Sequence, residues 1–190
     1  WMANRAEAFM SDHQGRDQHA TATLALDENG KFLALKVEAM TNLGAYCTQS
    51  GPMTATAGFA GCFPTTYDIP QMSISVQLVF TNMVPVGPYR GAGRPEANYI
   101  MGRLVDAAAR QTGIDVLEIR RRNFIGAQAF PYHTAAGHSF DSGDFGDILD
   151  SALSSDGGDA SFDMSVLGTE GSIRFKGVEV SDLDQNDFVL

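Results

Sequence analysis

The stretch "TATLALDENGKFLALKVEAM" constrains the fold more than any other part of the chain. "TATLAL" alternates small apolar and polar residues, "DENG" supplies turn chemistry, and "KFLALKVEAM" alternates again. Two alternating runs across an Asn-Gly turn are the strongest short-range hairpin signal. Thr21 to Leu26 and Phe32 to Thr41 are therefore expected as paired antiparallel strands, each burying one face. A third alternating run, "MSISVQLVFTN", places Ile74, Val76, Leu78 and Phe80 on one side of another strand.

Helices interrupt this strand pattern. Pro95 starts the most regular one, in which Ala97, Met101, Leu104, Val105 and Ala108 recur at helical spacing. Proline suits the first helical turn because its missing N–H would have no partner there, and Glu96 complements the positive end of the helix dipole. Gly113 ends this helix, and Asp115 caps a shorter one through Arg122. A short helix over Ala3 to Met10 and another from about Phe145 complete the pattern. Between Gly51 and Pro70 the chain is rich in Gly, Pro and Thr without a clear period, and a stretch of that length usually lines a site or crosses an interface. Strands and helices follow no regular βαβ alternation, so the expected class is α+β.

Charge divides the chain. The net charge is −10, and the last 35 residues carry eight acidic groups against Arg174 and Lys176. "SSDGGDAS" at this junction has linker composition, which puts a boundary near Ser154 and separates segments 1–153 and 154–190. A strongly acidic chain does not suit nucleic-acid phosphates. No apolar run approaches the ~18 residues needed to span a bilayer, so no membrane partner is expected. "WMANRAEAFM" carries charges inside its apolar residues and is not a signal peptide. It opens on Trp1 with no Met before it, as if inside an element, and a larger protein around it is expected. Cys47 and Cys62 are expected as buried free thiols. His13, His19, His133 and His138 lie apart, without metal-ligand spacing, so no metal site is expected on them, and "SSDGGDAS" is too short for a nonapeptide calcium repeat, so no calcium site is expected either. Arg120, Arg121 and Arg122 form a basic run that complements the end of their helix and is expected to be largely solvated.

The chemistry-bearing feature is "PYRGAGRPEA", residues 88–97. Gly91 and Gly93 allow positive φ or close backbone approach. Arg90 and Arg94 flank them, and the loop runs directly into a helix N-terminus, where unpaired N–H groups favour negative charge. The pattern is neither a phosphate-cradling Walker loop nor a dinucleotide fingerprint. Two readings stay open on these residues alone, an anion-binding loop and an ordinary strand–turn–helix corner. Glu96 reads as a helix-start residue.

The longer stretch "VPVGPYRGAGRPEANYIMGRLVDAAARQTGIDVLEIRRRNFI" resembles the molybdopterin-binding large subunit of the xanthine dehydrogenase/aldehyde oxidase family, and within it the aerobic carbon monoxide dehydrogenase-like group. "WMANRAEAFMSDHQGRDQ", "TNLGAY" and "FPYHTAAGHSFDSGDFGDILDSAL" extend the resemblance over about residues 1 to 153. It implies a partial molybdopterin-binding domain of an oxidoreductase. Molybdopterin would be the cofactor of the complete enzyme, with iron–sulfur and FAD groups on partner subunits, a small-molecule substrate and a cytoplasmic location. By position, Arg90 would serve charge on the substrate, Tyr89, Gly91, Ala92, Gly93 and Arg94 would contact the cofactor, and the Gly-Ala-Gly run would give it room. Copper-containing carbon monoxide dehydrogenases carry a cysteine in this loop, and Gly91-Ala92-Gly93 has none, so carbon monoxide is not the expected substrate. The family's glycine-rich loop, its glutamine contact and its catalytic glutamate have no match in this sequence. The isolated chain is therefore expected to be inactive and prone to self-association.

The end, "SIRFKGVEVSDLDQNDFVL", resembles the C-terminus of RTX-type proteins secreted by type I exporters. That resemblance implies a second possibility, a non-catalytic secreted or interaction protein that reuses part of the molybdopterin-binding fold.

Overall fold

The structure is a computed structural model and describes residues 1–156, 159–163 and 172–175. The last 15 residues, with most of the RTX-like resemblance, lie outside the described residues. Helix α1 (Arg5–Ser11) starts at a capping box, in which Asn4 and Glu7 each bond the other's backbone N–H. Strand β1 (Gln18–Leu26) then pairs antiparallel with β2 (Phe32–Asn42), Ala22 facing Val37 and Leu24 facing Leu35. Strand β3 (Gln71–Val79) lies parallel to β2 on its other edge, so the sheet order is β1-β2-β3. The hairpin and the third strand are where the alternation puts them, and the α+β class holds. Phe80 is the exception: it falls just past β3 and is exposed, because the strand ends at Val79.

A parallel neighbour needs a crossover, and here residues 43–70 supply it. They contain a helical turn, α2 (Gly51–Met53), which runs straight into a π-helical turn at Thr54–Gly58. The absence of a readable period has a physical reason here: a π turn advances by i→i+5. Phe59 and Phe63 follow, packed edge to face at 5.2 Å and fully buried.

Helix α3 (Arg94–Thr112) lies across the sheet. Ala97, Met101, Val105, Ala108 and Ala109 face Phe32, Leu35, Val37, Phe59 and Phe63 in one core. Leu104 sits at its edge and is only partly buried. Gly113 closes α3 in a left-handed conformation, and Asp115 caps α4 (Val116–Asn123) through the N–H groups of Leu117 and Glu118. The three arginines of α4 are tied down more than a solvated helix end would be. Arg120 bonds buried Asp106 at 3.0 Å and the Tyr67 hydroxyl at 2.6 Å. Arg121 pairs with Asp150, and Arg122 with Glu118 and the Asn29 carbonyl. Glu118 lies on the same helix at i,i+4 spacing, whereas Asp106 and Asp150 come from other elements that the stripe of α4 does not reveal.

The chain continues through a 3₁₀ turn (Ala127–Ala129) and the short pair β4 (Tyr132–His133) and β5 (Ser139–Phe140). Helix α5 (Phe145–Ala152) follows, capped by Asp144. A separate antiparallel sheet contains β6 (Leu153–Asp156), β7 (Asp159–Asp163) and β8 (Ser172–Phe175), and Ser154 lies inside β6. Cys47 is exposed, contrary to the expectation of a buried thiol, because it sits in the loop after β2; Cys62 is half-buried. No helix among the described residues is long and apolar enough to cross a membrane.

Candidate functional site at the Tyr89–Glu96 turn

The chain leaves β3 and returns along residues 13–16. Gln14 forms a parallel bridge with Val86, its N–H donating to the Pro85 carbonyl and its own carbonyl accepting from Gly87 N–H. This leads residues 88–91 out to the surface beside the turn that precedes β1. The turn then reverses on itself. Ala92 N–H donates to Tyr89 C=O at 2.7 Å and Arg94 N–H to Gly91 C=O at 3.1 Å.

Three consecutive residues have positive φ: Gly91 at 90°, Ala92 at 46° and Gly93 at 92°. That meets the expectation of a glycine-dependent backbone. On the side where a side chain would stand, other parts of the chain already fill the space. A Cβ on Gly93 would lie 2.6 Å from both the Thr54 carbonyl oxygen and the Phe59 nitrogen. One on Gly91 would lie 2.7 Å from the Pro95 ring. The missing side chains let the loop press onto the π turn and onto the helix start, and protein atoms occupy that space.

Arg16 faces this turn from the other side. It has a left-handed backbone, φ 62°. Its guanidinium donates to the Arg90 carbonyl, stacks 4.7 Å above the Tyr89 ring centre, and lies 3.7 Å from Glu96 Oε1. Glu96 is therefore not a backbone cap but one half of an ion pair. Its second oxygen, Oε2, is buried and has no hydrogen-bond partner among the described residues. Glu96 and Arg16, with Gln18, Thr41 and Thr54, line a small, partly open cavity of about 30 Å³, about the room one water molecule takes.

On the outer side of Arg16 and Tyr89 lies an open cleft of about 760 Å³, which Arg5, Phe9, His13 and Gln14 also line. Its size is within the range of small-molecule and cofactor sites. Tyr89, Arg90 and Arg94 are exposed. Arg94 Nη1 reaches the Gly91 carbonyl, and no hydrogen bond or ion pair engages the Arg90 side chain among the described residues. On a chain of net charge −10, three guanidinium groups surround one turn; Arg16 is paired with Glu96, and Arg90 and Arg94 leave a local excess of positive charge. A preset backbone with an unengaged planar fork suits bidentate recognition of an oxyanion. The cleft itself is lined by the guanidinium groups of Arg5 and Arg16, the Tyr89 ring and one carboxylate, Asp12, while Arg90 and Arg94 stand on the turn beside it; an anionic, pterin-sized group would meet donors on this one open side.

Arg16 escaped the sequence reading. "HQGRDQ" has no local signature, and the partners of Arg16 lie more than 70 residues away. Neighbouring groups do not add a nucleophile or a metal centre. Cys62 donates to the Gly58 carbonyl, and burial pushes its thiol up, with Arg94 opposing and Glu96 reinforcing the shift. His133 pairs with Ser139, and His138 packs over Gly61. Among the described residues, no three His, Cys, Asp or Glu side chains converge as metal ligands would.

Comparison with known proteins gives the family of the chain. Residues 1–124 match the family described as "Molybdopterin cofactor-binding domain". The carbon monoxide dehydrogenase large chain of Hydrogenophaga pseudoflava is 37% identical over 155 residues, covering 80% of this chain and 19% of the relative. The 6-hydroxypseudooxynicotine dehydrogenase complex subunit gamma of Paenarthrobacter nicotinovorans is 34% identical over 161 residues, covering 80% and 20%. The crystal structure of quinoline 2-oxidoreductase from Pseudomonas putida 86 superposes with a TM-score of 0.74 at 26% identity, over 90% of this chain and 26% of that one. The chain spans about a fifth of the length of the curated relatives it matches.

Proposed function

This chain belongs to the molybdopterin cofactor-binding domain family, and on that premise we propose that it builds one wall of the cofactor and substrate site in the large subunit of a molybdenum hydroxylase. The observation that carries this reading is the Tyr89–Arg94 turn: a backbone locked at positive φ, beside an open cleft, with an unengaged guanidinium at Arg90. Molybdopterin, when bound, supplies the metal centre at which oxygen is transferred to a carbon of the substrate.

In this reading Arg90 orients the substrate and stabilises negative charge developing on it, the logic of a preorganised donor aimed at a charge that forms during reaction. Tyr89, Gly91, Ala92, Gly93 and Arg94 contact the cofactor, the glycines through backbone shape. Arg rather than Lys suits the place because its fork keeps both charge and direction. The substrate is a small molecule; the relatives' names span carbon monoxide, quinoline and 6-hydroxypseudooxynicotine, so the class stays broad. Electrons leave through iron–sulfur and flavin groups on partner subunits, and the complex works in the cytoplasm. Exposed Phe9, Met10, Met53 and Tyr89 support a face that the rest of the large subunit covers. We draw the limit of this domain at residue 153, with 154–190 outside it.

The test uses a complete large subunit carrying these residues. Arg90→Ala and Arg90→Lys should lower turnover on the order of 10²–10³ fold while molybdenum per subunit stays near the parent value. Parent-level turnover in both variants would overturn the role.

A further inference from the structure

We propose that Arg16 is the positioning residue of the Tyr89–Glu96 turn, holding it in its working shape before any ligand arrives. The inference deepens the reading above and rests on it for its functional meaning, but the geometry that carries it is internal to the chain.

The hydrogen bonds that shape residues 89–94 are local to the turn, Ala92 to Tyr89 and Arg94 to Gly91. Such short loops open easily when nothing else fastens them. Gly93 is pinned from below by the π turn, but residues 89–91 stand at the surface. Among the described residues, Arg16 is the one side chain from outside the turn that hydrogen-bonds to its backbone, through the Arg90 carbonyl. It also covers the Tyr89 ring and pairs with Glu96, so one guanidinium touches the start, the middle and the end of the turn.

Two further observations fit a positioning device better than a chance surface arginine. Arg16 adopts φ 62°, a conformation rare for a residue with a side chain and kept where surrounding contacts over-determine it. Gly15 beside it packs so closely that a Cβ there would lie 2.8 Å from Tyr89 Cβ. Arg16 is also electrostatically spoken for by Glu96, which leaves the Arg90 charge free for a ligand. Without Arg16, the Glu96 carboxylate would lose its counter-charge as well, and among the described residues its Oε2 has no hydrogen-bond partner to fall back on.

Hydrogen–deuterium exchange with mass spectrometry on the 190-residue chain tests this without cofactor. In Arg16→Ala, peptides covering 88–97 should exchange on the order of tenfold faster, while peptides covering 34–39 and 101–109 keep their parent rates. Arg16→Lys keeps the charge but not the fork, and should give a smaller acceleration confined to the same peptides. It also serves as the deciding variant if Arg16→Ala does not fold. Unchanged exchange over 88–97, or the same acceleration throughout the chain, overturns the proposal. Loss of the catalytic role assigned to Arg90 would leave this measurement standing, so the two readings fail separately.

Discussion

The side-chain amide of Asn123, the last residue of α4, accepts the backbone N–H of Phe32, the first residue of β2, at 2.7 Å and across 91 positions of sequence. Its NH₂ group donates to the Gly30 and Ile119 carbonyls at 2.8 and 2.9 Å. Both residues are fully buried, so the groups that Asn123 satisfies have no access to water. The Asn123 carbonyl in turn accepts Asp68 N–H, which ties the end of the crossover to the same point.

Asn123→Ala should therefore destabilise the chain by about 3 kcal/mol, since a buried group left unsatisfied costs roughly 1–3 kcal/mol. Asn123→Asp keeps the acceptor for Phe32 but turns a carboxylate toward two carbonyls. It should be at least as damaging at neutral pH and recover in part at acidic pH, where a protonated carboxyl can donate. Urea midpoints at two pH values check both; parent-like stability of Asn123→Ala would sink the idea of a staple.

The glycines of the chain should respond to alanine in opposite directions. Gly93→Ala meets a positive φ, which disfavours an L side chain by about 1–2 kcal/mol, and backbone atoms at 2.6 Å that cannot swing aside. A loss of more than about 2 kcal/mol is expected. Gly102 lies inside α3 with nothing within 4 Å of the Cβ position. Gly102→Ala should stabilise by about 0.5–1 kcal/mol through helix propensity. Thermal denaturation of the two variants side by side gives the signs.

Why were some of these features legible beforehand and others not? The hairpin and α3 could be read because their signals are local: a period of two around an Asn-Gly turn, a period of 3.6 between Pro95 and Gly113. Positive φ at Gly91 and Gly93 followed from residue type. What the missing side chains make way for did not, because it depends on Thr54 and Phe59 arriving from the crossover. The crossover itself was opaque for the same reason: a π turn and two aromatic residues take their places from packing rather than from periodicity. Arg16 and the partners of Arg120 lie at the far end of contacts that no short window contains.

Alkaline pH should weaken the fold through two tyrosines. Tyr132 donates to Asp68 Oδ1 at 2.8 Å, and burial first, then Asp68, pushes its hydroxyl up to about 12. Burial also raises Tyr67, against the opposing Arg120 guanidinium. An unfolded chain loses these protons near pH 10, whereas the folded chain keeps them. Between pH 10 and about 12 the native state therefore binds more protons, and stability falls as pH rises; below pH 10 both states are protonated and the contribution is intact. Tyr132→Phe should flatten part of that decline, measured as the change in urea midpoint between pH 9 and pH 11. An unchanged slope would mean that Tyr132 does not titrate as its contacts require.

The 190 residues by themselves should not hold molybdopterin tightly or turn over aldehydes, purines or carbon monoxide. A cofactor site typically encloses 70–90% of its ligand. Here the small cavity beside Glu96 has about 30 Å³, about the room of one water, while the larger space beside the turn is the open cleft along Arg5, His13, Arg16 and Tyr89. One wall, however well shaped, gives a ligand contacts on one side and leaves the other side to water. A positioned general base contributes roughly 10²–10⁴ fold, and the carboxylate nearest the turn, Glu96, is engaged with Arg16 instead. Chain purified from a molybdenum-replete host should carry far less than one molybdenum per molecule and reduce no dye with these substrates. With Phe9, Met10 and Tyr89 uncovered, it should also show a concentration-dependent increase in size by light scattering. Stoichiometric molybdenum with measurable turnover would overturn this expectation, and Glu96→Gln would then be the first variant to make, because a working base at that position must let go of Arg16.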